Sequence, residues 1–176
     1  RKLKHYFKNE DIETDDYSII GNYFDNLYSN QNVEDEIFKC IKAEDLIDDR
    51  ASKTLYDIRR QIRDSESKIK DKLNGIIKSS STSKYLQDAV VTFRNDRYVI
   101  PIKQEYKNEV PGLIHDSSAS GSTIFIEPTV IFNINNEIKE LKIKEQVEIE
   151  RILALLTQMV APIVDDIKLS IRFVGK

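Results

Sequence analysis

The chain has 176 residues and a formal net charge of −3, enough for one core or for one elongated unit with a small satellite. Its single cysteine, Cys40, rules out an intrachain disulfide, and with only His5 and His115, far apart in sequence, it leaves no His and Cys set for a zinc site. No apolar run approaches the roughly 20 residues that span a bilayer, and with no signal peptide a reducing, cytoplasmic setting is expected.

The charge is unevenly spread. Residues 9–50 hold 13 acids and 3 bases, whereas residues 52–107 hold 13 bases and 7 acids. An acidic lobe thus precedes a basic arm. A solvated helix surface accounts for the arm, and so does an arm held near phosphate, because clustered Lys and Arg release counterions on binding it.

Residues 1–8 read as the end of a helix and include no initiator methionine, so the chain is expected to be an internal piece of a larger protein. Asp16 can cap a helix that sets Ile19, Ile20, Tyr23, Phe24, Leu27 and Tyr28 on one face. A short helix over 33–41 follows. Cys40 sits there beside Ile37, Phe38 and Ile41, which predicts a packing role rather than a reactive thiol. The polar run KAEDLIDDRA predicts a loop with a brief extended piece at Leu46 and Ile47. Residues 1–51 are assigned to a helical core region.

Ser52 is a candidate N-cap. After it Leu55, Ile58, Ile62, Ile69, Leu73 and Ile76 form a heptad-like stripe, weakened at Ser65. A helix over 52–78 would be about 40 Å long at 1.5 Å per residue, with Gly75 costing about 1 kcal/mol relative to Ala. The outgoing helical region is assigned to 52–88.

From 89 to 127 the pattern changes to strands punctuated by Pro101, Pro111, Gly112 and Gly121. Four strands are predicted, over 89–94, 97–103, 112–116 and 122–127. The turn Arg94-Asn95-Asp96-Arg97 can close a tight hairpin, since both central residues tolerate left-handed conformations. A sheet this small needs support from the helix ends.

Pro128 suits a first helical turn. The returning helix carries Ile131, Ile134, Ile138, Leu141, Ile152, Leu155 and Met159, a stripe interrupted by Glu145 and Glu148. Pro162 should kink or end it, and a further helical piece is predicted over 164–174, completing a region 128–176. The expected fold class is mainly α: two long antiparallel helices with a small antiparallel β module inserted between them.

HDSSASGST, from His115 to Thr123, contains the residue types of a hydrolytic triad. Triads assemble from separate segments, and neighbours on one strand and loop do not produce that geometry. The phosphate-loop signature GxxxxGK[ST] is absent. No catalytic residue and no metal ligand is assigned. Arg94 and Arg97 flank the hairpin turn, where like charges side by side are unfavourable unless an anion is shared. They are the preferred nucleic-acid contacts, with Lys103 and Lys107 next. The alternative is that Asp96, Glu105 or Glu109 neutralises them. Ser118 and Ser120 could hydrogen-bond a phosphate, or the Ser-rich loop is a plain connection. Residues 88–128 hold 4 bases and 6 acids, so the module is not a net basic patch. No interleaving of aromatic and basic residues in the sequence suggests stacking of single strands.

Three phrases carry a resemblance: RNDRYVIPIKQEY (Arg94 to Tyr106), HDSSASGSTIFIEP (His115 to Pro128) and NNEIKELKIKEQVEIERIL (Asn135 to Leu153). Together they resemble the lever-and-clamp region of the second bacterial MutS family, the MutS-related ATPases without a mismatch-reading domain. The match extends over about Val33 to Leu156. The resemblance implies that the long helices are levers, that the β module is a clamp inserted between them, and that the clamps of a homodimer close around a duplex. It implies binding of branched DNA with suppression of recombination, sometimes with nicking by a separate nuclease domain, or ATP-driven splitting of collided ribosomes through rRNA contacts. ATP and Mg would belong to an ATPase domain outside these residues. The rival expectation is a structural arm for dimerisation or interdomain packing, with no nucleic-acid contact. No membrane partner is expected.

Overall fold

The computed structural model describes residues 27–174. His5 and the helix expected after Asp16, with Ile19, Ile20, Tyr23 and Phe24, lie outside the described residues. Among the described residues the chain is mainly helical, with two small antiparallel sheets. They divide into two compact units: those up to Ser52 together with those from Ile149 on, and Lys53–Glu148.

In the first unit, helix α1 (Gln31–Cys40) begins at Asn30, whose Oδ1 accepts the Val33 N–H at 3.2 Å. That side chain satisfies one of the amides a helix start leaves without a partner. The chain then folds into a short hairpin, β1 (Ile41–Ala43) with β2 (Leu46–Ile47). Cys40 is buried, although Phe38 beside it is exposed. Burial, with the Glu36 carboxylate nearby, pushes the Cys40 thiol pKa up, which disfavours the reactive thiolate. Asp48 accepts the Arg50 guanidinium and its N–H, and these bonds hold its carboxyl down at about 2. Further on, a 3-10 turn (Ala161–Ile163) holds Pro162 and leads into α4 (Val164–Val174). The interruption expected at Pro162 is therefore present. The Tyr28 N–H donates to Ser170 Oγ of α4 at 2.8 Å.

The second unit contains α2 (Lys53–Lys78), β3 (Thr92–Arg94), β4 (Arg97–Lys103), β5 (Gly112–Ser117) and β6 (Thr123–Pro128). It also contains α3 (Phe132–Val160) as far as Glu148. The strands form one antiparallel sheet in the order β3-β4-β6-β5. Residues 89–91 lead into β3 without joining it. Pro128 does not open the helix, contrary to the expectation from sequence, but ends β6 opposite Gly112 with an extended ψ of 142°. A 3-10 turn (Thr129–Ile131) intervenes before α3. Proline's fixed φ suits strand and first turn equally, and the pairing with β5 decides between them.

The sheet packs on the helices through Ile100, Ile102, Ile124 and Ile126 against Ile69, Leu73, Ile77, Ile131 and Ile138. A smaller cluster joins Ile58 and Ile62 to Leu141. Early α2 thus meets the later part of α3 and late α2 its start, so the two helices run antiparallel within this unit. The α2 stripe passes through Ser65, which is buried, and ends on Ile77 rather than Ile76. The α3 stripe needs a similar correction. Leu156 is buried where Leu155 was expected, and Leu155 is exposed. Glu145 does not interrupt the stripe but binds Arg59 across the helix pair at 2.6 Å, and Glu148 is buried. The residues at 138, 141, 145, 148, 152 and 156 keep steps of three and four throughout.

Tyr98, on β4, rests against α2. Its burial, with Glu66 accepting its hydroxyl, pushes its pKa from 10.0 up to about 12. Above pH 10 the unfolded chain therefore releases this proton while the folded chain keeps it, so stability falls as pH rises from 10 towards 12. Melting temperatures across that window are expected to fall less steeply for Tyr98→Phe than for the unaltered chain. Equal slopes would show that Tyr98 is not the group responsible.

Candidate nucleic-acid interface

The turn from Arg94 to Arg97 is the tight hairpin expected: Asn95 and Asp96 adopt φ of 49° and 60°, and Arg94 lies opposite Arg97. The neutralising acids are not the sequence neighbours Asp96, Glu105 and Glu109. Arg94 lies 3.7 Å from Asp116, with both side chains nearly half exposed. Its guanidinium also sits over the Phe125 ring at 4.7 Å and donates to the Phe93 carbonyl. Asn95 donates to the His115 carbonyl at 2.9 Å. The turn therefore folds across β6 to reach β5.

Arg97 has a different role. It is largely buried and donates to Glu127 Oε1 at 3.1 Å, while Glu127 is fully buried. Arg97, expected as a nucleic-acid contact beside Arg94, thus carries a packing load as well. Glu127 also accepts Asn135 Nδ2 at 2.7 Å, and its Oε2 lies 2.5 Å from His115 Nε2. His115 reaches it from a bulge between Ile114 and Asp116, a device that re-aims side chains on a strand. A lone buried carboxylate would be costly, and three partners offset that cost. His115 is thus committed to Glu127, and Asp116 to Arg94.

Asn135, from the first turns of α3, also accepts the Tyr98 N–H and donates to the Tyr98 carbonyl, both at 3.2 Å. The register Ile100↔Ile126 places Pro128 opposite Tyr98, and proline has no N–H to offer. The carboxamide stands in for the missing strand.

The remaining candidates lie elsewhere. Lys103 pairs with Thr123 at the far end of β4, about 20 Å from Arg97 at ~3.3 Å per residue. Ser118 and Ser120 are at that same end. Ser118 Oγ accepts the Thr123 N–H, and the hydroxyls of Ser118, Ser120 and Ser122 are linked at 3.3 and 2.9 Å. Gly121, at φ 71°, closes this turn. Lys107 is exposed beyond the 3-10 turn Gln104–Tyr106. The candidates do not form one patch.

Sequence reasoning missed a third group. Phe93 is exposed and meets Tyr98 edge-on at 5.1 Å, while Lys142 Nζ lies 5.2 Å from its centroid. Beside them is a cavity of about 420 Å³ lined by Lys70, Asn74, Val90, Phe93 and Tyr98, among others. The residues come from α2, from β3 and the approach to it, from β4 and from α3, so no local motif could reveal them.

No family model matches the chain. It is 54% identical over all 176 residues to a protein named Endonuclease MutS2 from Acetivibrio thermocellus, covering 22% of that protein. A protein of the same name from Ruminiclostridium cellulolyticum is 52% identical over 90% of the chain, and one from Alkaliphilus metalliredigens 51% over 92%, each match covering 20% of the relative. The chain spans about a fifth of the length of the curated relatives it matches. Identity at about half of all positions over nearly the whole chain bears out the resemblance to the second bacterial MutS family.

Proposed function

We propose that this chain is a non-catalytic arm in which the β module clamps nucleic acid and α2 and α3 act as its levers. Arg94 is the observation that supports this best. It is a cation on a tight turn whose neighbours Asn95 and Arg97 are anchored, while its own pairing with Asp116 is long and half exposed. Such a side chain can exchange Asp116 for a phosphate oxygen without disturbing the fold. The target in this reading is DNA, as branched junctions, or the rRNA of collided ribosomes. A second copy supplies the opposing jaw of a homodimer. Lys103, Lys107, Ser118 and Ser120 provide a separate contact point along the sheet. ATP with Mg, and the nuclease activity in the relatives' name, are assigned to the part of such proteins that this chain does not match. No helix among the described residues is long and apolar enough to cross a membrane, and the cytoplasm is the proposed setting.

One observation favours a packing role for the other unit. Leu153, Leu155 and Met159 of α3 and Leu169 and Ile171 of α4 are exposed, and a helix apolar on several sides is normally covered. Packing against a second copy or another domain there is compatible with a clamp in the β module.

Arg94→Ala is expected to weaken binding to a DNA junction or an rRNA oligonucleotide. It should reduce the slope of log affinity against log salt by about one unit, at an unchanged melting temperature. Arg97→Ala should instead lower the melting temperature. If Arg94→Ala leaves both affinity and salt slope as they were, the module does not use its turn to hold phosphate, and the clamp reading loses its main support.

A further inference from the structure

We infer that the cavity between α2 and the edge strand β3 receives one unstacked base of the bound nucleic acid; this rests on the clamp reading above. Its volume, about 420 Å³, falls in the range of roughly 300–1,000 Å³ typical of small-ligand sites. Two of its lining residues, Phe93 and Tyr98, are aromatic. Phe93 is exposed, and the edge-on contact with Tyr98 holds its ring. Tyr98 is in turn fixed by its hydroxyl on Glu66. An exposed ring held rigid, as Phe93 is, is suited to stacking, which every base can offer.

The surrounding charge favours a nucleotide over an apolar peptide side chain. Lys142 lies over Phe93, and Lys70 stands at the cavity wall with Asn74 one turn on. The two ammonium groups suit the phosphates flanking a base, and the carboxamide can donate to and accept from a base edge. Glu66 is the acid facing this wall from α2, and the Tyr98 hydroxyl donates to it. Position also links the cavity to the turn. Phe93 and Arg94 are consecutive on an edge strand, so their side chains leave on opposite faces. A strand whose phosphate meets Arg94 has its neighbouring nucleotide within reach of Phe93 across that edge.

The test compares two DNA junctions that differ only at one unpaired nucleotide, which carries a base in one and is abasic in the other. The unaltered chain is expected to bind the abasic junction about 5- to 150-fold more weakly, the worth of one stacked base. Phe93→Ala should abolish that difference; the ring is exposed, so the fold should survive. Lys70→Ala should weaken both junctions alike and reduce the salt slope. An iodouracil at the unpaired position should crosslink to Phe93 or Tyr98. Equal affinity for the two junctions would overturn the base site while leaving the clamp reading intact. Failure to bind either junction or an rRNA oligonucleotide would overturn both. A crosslink outside the cavity, with Phe93→Ala altering only self-association, would identify the occupant as a protein side chain and also overturn the inference.

Discussion

Glu127→Ala is expected to destabilise the chain by about 3–5 kcal/mol, the range for removing one partner from a buried ion pair. Glu127 is fully buried and holds Arg97, His115 and Asn135 at once. Without it, Arg97 keeps its charge in a largely buried position and the Asn135 amide loses an acceptor. Both effects act in the same direction, because a stranded buried group costs more than the bond it formed was worth. Glu127→Gln retains the shape but not the charge and should fall between the two. Chemical denaturation of the three proteins gives the comparison. A loss below about 1 kcal/mol for Glu127→Ala would mean that water solvates Arg97 once its partner is gone, which is the cost expected of a surface pair.

Gly112→Ala is expected to cost about 3 kcal/mol, the upper part of the usual range for overpacking. A Cβ at this position would overlap the Glu127 carbonyl oxygen and stand 2.6 Å from Ile126 Cγ2. The obstacle is mostly backbone of the neighbouring strand, which cannot rotate aside. Hydrogen exchange should quicken along β5 and β6 before it does in α2. Uniform protection at an unchanged melting temperature would show that β5 shifts outward to make room. Gly121→Ala provides a contrast, since nothing lies within 4 Å of its added Cβ and only the φ of 71° opposes it.

Periodicity made the helices legible and turn chemistry made the hairpin legible, because both depend on neighbours in sequence. The α2 stripe was readable from Leu55 to Leu73, and Asn95-Asp96 identified the turn. Reading stopped where a partner was distant. Glu145 looked like a fault in an apolar stripe because Arg59 is on another helix. Arg97 seemed free, or paired with Asp96, because Glu127 is 30 residues away. Pro128 suited a helix start because it lacks an N–H, and only the pairing with Gly112 shows it to be strand. The group at Phe93 depends on Lys70 of α2 at the cavity wall and Lys142 of α3 over the ring, which no linear pattern encodes. The turn at Arg94 was found in the sequence; the side chains that hold it in place were not.

Asn135 fills the place of a strand opposite Tyr98, and this sets the length of chain from Pro128 to Asn135. One residue added there would rotate α3 by about 100° and carry the carboxamide away from both Tyr98 and Glu127. The 118–122 turn, exposed and held by its own hydroxyls, can lengthen without such a penalty. Insertions and deletions among relatives should therefore collect in that turn and avoid the step from strand to helix. A chimera that exchanges β modules between two relatives must place its downstream junction after Asn135, because the sheet and the start of α3 are inherited as one piece.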